Sequence, residues 1–452
     1  LLLCKTHHYN LILCFIKIKT YAIMQPRLAH YIVRLLVVIF ATNFFACNKN
    51  SVEKINPSLL RVYINESKTS ATSVIIEEVK TTTDNGYLFI GVIGNNISTK
   101  FSKNAALYLM KIDASGNLQW EKSYETVRGL SGGFLSNVLA TDKVDEFVFV
   151  WNRYLSNTTF EYSISTFTVN ASTAPTITPK ELKNVACESN LRDCGFVSKI
   201  TRHFDRISYA LLSIAETKVQ GNDGHVVFLS RTADSNDSLK AFSSRSFTGL
   251  SAGIDALFSY DSRLFVAHNN NAFYYNIPVN AEEMALQAAG NSAVYYKDST
   301  VWASAALNQA TGKVSVVFSA KSLGLGVASY LATNYDLLPT ANNSNNIKAL
   351  ATSLEPQFDG EKKVILYRTE EQNLLIMGAA GSTETQGILI HILAANGQKK
   401  DINLASSAYL ISGVAESQDG KTIAIGGNQR LTPTWSRPFL LLISKSELLR
   451  KE

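Results

Sequence analysis

The chain has few of the residues that mark a catalytic, metal-binding or nucleic-acid-binding protein. Charged residues make up 18% of 452, against 46% hydrophobic. The longest basic clusters are Glu361-Lys362-Lys363 and Gln398-Lys399-Lys400, each beside an expected turn. Without a clustered basic face there is no electrostatic footprint for nucleic acid, and no nucleic-acid partner is expected. Cysteine is scarce, at five residues. His203, His225, His268 and His391 stand apart from one another, so no zinc-like ligand spacing arises and no metal is expected. Almost no stretch keeps a helical period over three turns; the one short candidate is Ala281 to Ala289, which reads equally as a turn.

What is present begins with an address. Met24-Gln-Pro-Arg27 is followed by a second cation at Arg34, an apolar run from Leu35 to Ala41, and Asn43-Phe44-Phe45-Ala46-Cys47. That order of basic, apolar and small-residue segments resembles a bacterial lipoprotein signal. The resemblance implies cleavage after Ala46 and a lipid on Cys47, with a cell-envelope location, outer membrane facing the periplasm. Phe44 stands where the family usually has Leu. An ordinary signal or anchor helix is the alternative. Residues 1–23 read as a translated upstream stretch, 24–46 as the signal, 47–58 as a flexible tether carrying Pro57, and 59–452 as the folded domain. Removing residues 1–46 takes Lys5, Lys17, Lys19, Arg27 and Arg34 and no acid, leaving 38 basic against 37 acidic side chains. Cys187 and Cys194 then remain in a loop-like segment. In an oxidising compartment a local disulfide is expected.

From Leu59 onward, short apolar or alternating runs recur between Asn, Asp, Gly and Ser clusters, which reads as all-β. Val74 to Lys80, Tyr87 to Ile93, Ala105 to Ile112 and Leu118 to Tyr124 make four strands of one meander, with turns at Thr83-Asp-Asn-Gly86 and Asp113-Ala-Ser-Gly116-Asn117. The Tyr87 run is almost wholly apolar, as expected of a strand buried on both faces. Echoes follow at Gln372 to Gly378 and Ser417 to Gly427, with Asn373 and Gly420 lying 47 residues apart. Further groups begin near Phe134, Phe196, Gly253 and Asn291. A repeat of this length with radial four-stranded units predicts a β-propeller of about seven blades. The last group runs out of chain after three strands, and Leu59-Leu-Arg-Val-Tyr-Ile-Asn65 is placed to supply the missing edge beside Phe439 to Ser444.

Asp84-Asn-Gly-Tyr-Leu-Phe-Ile-Gly91 with Leu107-Tyr-Leu-Met-Lys-Ile-Asp113-Ala-Ser-Gly-Asn-Leu-Gln-Trp120 resembles the propeller repeats of secreted and lipid-anchored proteins of Bacteroidetes-type bacteria. It is also similar to quinoprotein-like repeats, in which an Asp-x-x-Gly turn precedes a strand ending in Trp. The later groups lack that Trp.

Motifs with chemistry resolve into turns and edges. Gly129-Leu-Ser-Gly-Gly133 has a nucleophile-elbow pattern without the strand-to-helix context that chemistry needs. Ala415 to Thr422 misses the first Gly of a phosphate loop and leads into a hairpin; Ser417-x-Asp419 weakly resembles the Asp-box of some propellers. The carboxylate pairs Glu77-Glu78, Asp145-Glu146, Glu282-Glu283 and Glu370-Glu371 are sequence neighbours, which on a strand face opposite ways. Trp120, Trp151, Trp302 and Trp435 are candidates for sugar stacking, with packing between sheets as the default. No catalytic residue and no cofactor is assigned. The reading is a lipid-anchored propeller that binds a protein or glycan without turnover. The alternatives are an enzyme of quinoprotein or glycan-cleaving type, and an outer-membrane assembly factor.

Overall fold

The computed structural model describes residues 59–63, 72–95, 105–129, 137–141, 143–156 and 159–177, the strand segments from 180 to 349, and 365–369, 371, 373–380, 387–393, 399–404, 409–432 and 435–449. Among these the strands form seven antiparallel sheets, built of consecutive strands except that the last also takes in Leu59–Val62. The sheets occupy residues 72–129, 139–181, 196–247, 254–294, 300–349, 365–404 and 409–444. The innermost strands of neighbouring sheets touch from the third sheet through to the last, and Thr72–Thr81 touches Tyr409–Glu416. The second sheet joins the first and third through Glu146–Ser156. The contacts therefore run in a closed circle, and the domain is an all-β propeller.

Closure uses the first strand of the domain. Leu59–Val62 adds to the outer edge of the last sheet, with Leu59 opposite Leu442 and Val62 opposite Phe439. The Tyr63 N–H extends the ladder to the Pro438 carbonyl at 2.9 Å. The same segment reaches the neighbouring sheet: Arg61 Nη1 donates to the Gly116 carbonyl at 2.6 Å, and the Tyr63 hydroxyl donates to it at 2.8 Å. An edge that would otherwise be unpaired is covered and joined to the next blade at once.

The core lies between the sheets. Along Tyr87–Asn95, Leu88, Ile90 and Val92 pack toward the second sheet with Phe147, Phe149 and Trp151, while Tyr87, Phe89 and Ile93 pack toward the last sheet with Ala424, Leu440 and Leu442. Burial of both faces explains the unbroken apolar run. All eight residues of Ala105–Ile112 are buried, Lys111 among them. A third cluster joins Leu375, Ile388 and Ile390 of the sixth sheet to Ile411, Ile425 and Phe439 of the last.

The innermost strands carry a repeated irregularity. In five sheets one extra residue interrupts the pairing with the second strand: Glu77, Ser198, Asp255, Val301 and Ser412. Each is a β-bulge, which bends the strand and increases its twist. Gly91 and Gly427 lie opposite two of these bulges, where a Cβ would collide with the carbonyl oxygens of Ile75 and Leu410. That close approach accounts for two of the glycines that end the echoed second strands.

One expected boundary moves. Ala293–Val294 pairs with Asn271–Asn276 and completes the fourth sheet, so the next sheet starts at Thr300 rather than near Asn291. Described pairing in the second sheet begins at Leu139; Phe134 lies outside the described residues. Within the short helical candidate, Gln287–Ala288 is a strand pairing with Tyr275 and Asn276. One helical turn, Lys445–Leu448, follows the last strand.

Candidate functional face

Four turns that follow innermost strands repeat one design. Thr82 Oγ1 donates to Asp84 Oδ1 at 2.6 Å, and the Gly86 N–H donates to the same oxygen at 2.9 Å. Ser417 Oγ donates to Asp419 Oδ1 at 2.6 Å, and the Lys421 N–H donates there at 3.1 Å. Thr141 donates to Glu146, and Thr369 accepts from the Asn373 backbone and side chain. A hydroxyl at the head of the turn thus meets a polar partner that holds the turn closed. Asn85 takes the left-handed φ of 60° in the first of these turns and Gly420 takes 67° in the last. Gly86 is required for space, because a Cβ there would collide with Lys111 Nζ and the Ile112 carbonyl.

These turns lie on one face and touch across the seams. The Thr83 N–H and hydroxyl donate to the two carboxylate oxygens of Asp145 at 2.8 and 2.6 Å. The Asp419 N–H donates to Asn85 Oδ1 at 3.2 Å. Burial and the nearby Asp419 charge push the Tyr87 hydroxyl up to about 12. Between the sixth and last sheets, Lys445 Nζ sits 2.5 Å from Glu371 and also pairs with Glu416. The second turn of the first sheet belongs to the same face: Asp113 Oδ1 accepts the N–H groups of Ser115 and Asn117 at 2.9 and 2.8 Å.

The charges are balanced locally. Lys111, 1% exposed in its side chain, donates to both oxygens of Asp84 at 2.9 and 3.0 Å. Burial alone would raise the Asp84 carboxyl, but hydrogen bonds from Thr82, Lys111 and Gly86 outweigh it and hold it below the usual aspartate value. Asp419 is lowered by the hydrogen bonds from Ser417 and Lys421. Burial would likewise depress the Lys445 ammonium, but hydrogen bonds and charge from Glu371 and Glu416 raise it. Each of these carboxylates is occupied in holding a turn or seam, which is structural work.

Deeper in the seams, side-chain amides replace strand pairing. Asn428 accepts from the Ile76 N–H at 2.7 Å and donates to the Ile76 carbonyl at 2.9 Å and to Ser412 Oγ at 3.1 Å. Asn137 makes the same reciprocal pair with Ile200, at 2.6 and 3.0 Å. Alongside Asn428, Ser436 Oγ donates to the Val74 carbonyl at 2.7 Å, and the Ser436 N–H donates to Ser73 Oγ. Sequence reasoning missed both asparagines, because nothing local separates a seam amide from a turn asparagine.

The residues singled out from sequence divide accordingly. Trp120 Nε1 donates to the Asn170 carbonyl at 2.9 Å and its ring packs on the core between the first two sheets. Trp151 is buried and donates to Ser165. Trp435 stacks under Arg437, 4.5 Å from the ring centroid to the guanidinium carbon. Ala415 to Thr422 is a strand, turn and strand. Cys47, Cys187 and Cys194 lie outside the described residues, as do Ser131 and the side chains of the four histidines. Among the described residues no three His, Cys, Asp or Glu side chains converge as metal ligands.

Blades packed face to face around a circle, with polar turns stitched along one rim, define the class: a β-propeller. The same fold is seen in the periplasmic gluconolactonase of Pseudomonas aeruginosa, at 12% identity over 82% of this chain and 96% of that one, with a TM-score of 0.50. Similar solved structures include a protein of unknown function from Dyadobacter fermentans (10% identity, 86% and 98% coverage, TM-score 0.46) and the six-bladed fucose-recognising lectin of Aleuria aurantia (9%, 74% and 96%, 0.43). No family model and no curated protein matches the chain.

Proposed function

We propose that this is a lipid-anchored propeller of the cell envelope that binds a protein or glycan partner without chemical turnover. The observation that carries the reading is where the chain enters the domain. The segment that follows Cys47 arrives at Leu59, which is locked into the outer edge of the closing sheet. A pull on the anchor is therefore borne by a strand ladder and by Arg61 and Tyr63 on the neighbouring blade. The carboxylates of the turn face are engaged in turns and seams, which supports a rigid platform rather than an acid–base site.

The test is purification of the full lipidated protein from detergent-solubilised membranes, followed by incubation of the purified material with lactone and oligosaccharide panels. A stoichiometric envelope partner and no product formation are expected. Turnover of any panel member contradicts the reading.

A further inference from the structure

The strand Leu59–Val62 has a direction, and the direction gives the disc a membrane-facing side. Leu59 pairs with Leu442, two residues before Ser444, which itself pairs with Thr422 beside the Ser417–Lys421 turn. Leu59 also lies against Gly116 of the Asp113 turn. The chain thus enters the domain from the face that carries the hydroxyl-headed turns. The opposite face begins at the far end of Thr422–Thr432, whose 11 residues span roughly 35 Å.

The length of chain between anchor and domain decides which face can meet the bilayer. Cys47 to Leu59 covers at most about 40 Å even when fully extended. That limit is little more than the length of Thr422–Thr432. Presenting the far face to the bilayer would require nearly complete extension along the side of the disc, whereas the turn face is reached without it.

Exposed apolar side chains mark the same face. Among the described residues four large hydrophobic side chains are exposed: Leu60, Leu118, Val144 and Leu431. Val144, 69% exposed, tips the turn that meets Thr83 through Asp145; Leu118 follows the Asp113 turn; and Leu60 adjoins the entry point. Only Leu431 lies toward the other end, beside the Thr432–Trp435 hairpin. The aspartates of this face are directed at turn hydrogen bonds and at Lys111, while Lys143 and Lys421 are largely exposed. Each apolar contact is weak alone, but a tethered protein docks at high effective concentration, so weak contacts suffice.

We propose that the turn face around Val144, Leu118 and Leu60 rests on the lipid bilayer that holds the anchor, leaving the opposite face outward for partners. This rests on the lipid anchor at Cys47. The test uses the full lipidated chain in phosphatidylcholine vesicles, with Cys187→Ser and Cys194→Ser so that an introduced cysteine is the one free thiol. An environment-sensitive fluorophore is placed at Val144→Cys or Leu431→Cys, and thermal melts confirm that each variant folds. With lipid-borne quenchers in the vesicles, the label at position 144 should be quenched several-fold more than the label at 431. Co-flotation with equal or reversed quenching overturns the orientation and leaves the anchor standing. Failure to co-float overturns the anchor and the orientation with it.

Discussion

Asn428→Ala tests whether side-chain amides hold the seam between the first and last blades. Asn428 is 2% exposed and serves three hydrogen bonds, two of them to the backbone of Ile76, which is 1% exposed. Removing the amide leaves a buried N–H and a buried carbonyl without that partner, at about 1–3 kcal/mol for each unsatisfied group. Partial relaxation and water entry reduce the sum, so about 2–4 kcal/mol is expected locally. A domain of this size need not unfold in one step, so the direct readout is amide hydrogen exchange at Ile76 and its neighbours. The expected loss corresponds to exchange faster by roughly 30- to 1,000-fold, at 1.4 kcal/mol per factor of ten. Asn428→Asp should be worse than Ala, because it keeps an acceptor for the Ile76 N–H but sets a carboxylate against the Ile76 carbonyl. Exchange within about threefold of wild type in the Ala variant would refute the seam argument, since that is under 1 kcal/mol.

Truncation separates tether from closure: removing residues through Ser58 should leave the melting temperature unchanged, whereas removing through Asn65 should lower it sharply or cost solubility, and identical behaviour would count against closure by Leu59–Val62. Thiol labelling of the denatured, non-reduced protein should find Cys187 and Cys194 blocked, with the bridge worth about 2–3 kcal/mol; two free thiols would refute the disulfide. Because the Asp84 carboxyl is held below its ordinary value, its contribution is present above the unfolded value near 3.9 and is lost as pH falls through the folded one. Asp84→Asn should therefore destabilise the protein at neutral pH and reduce the further loss on acidification in urea melts; an unchanged acid limb would show that the Lys111 contact is idle.

The first blade was legible because its strands are buried on both faces and its turns use Asn-Gly and Asp-x-x-Gly, so apolar runs and turn residues mark nearly the same boundaries as the pairing does. The missing edge strand was legible by the same means: Leu59 to Asn65 alternates, and the last group is short by one strand. Farther along, the starts expected near Phe196 and Gly253 match strands beginning at Phe196 and Ile254, whereas the one expected near Asn291 does not. Ala293–Val294 is too short to carry a period, and only its pairing with Asn271–Asn276 assigns it to the fourth sheet. The bulges left just a glycine opposite two of them, at Gly91 and Gly427, and the partner of Lys111, Asp84, stands 27 residues earlier in the chain. Asn428 and Asn137 act at long range, and a single sequence contains no record of the backbone they meet.

The lipid anchor is tested most directly by the intact mass of the protein extracted from membranes of the producing cell. The expected chain begins at Cys47 and carries diacylglycerol on its sulfur, and the Cys47→Ser form keeps its signal and gains no lipid. A wild-type chain that begins elsewhere, or that begins at Cys47 without lipid, would contradict it.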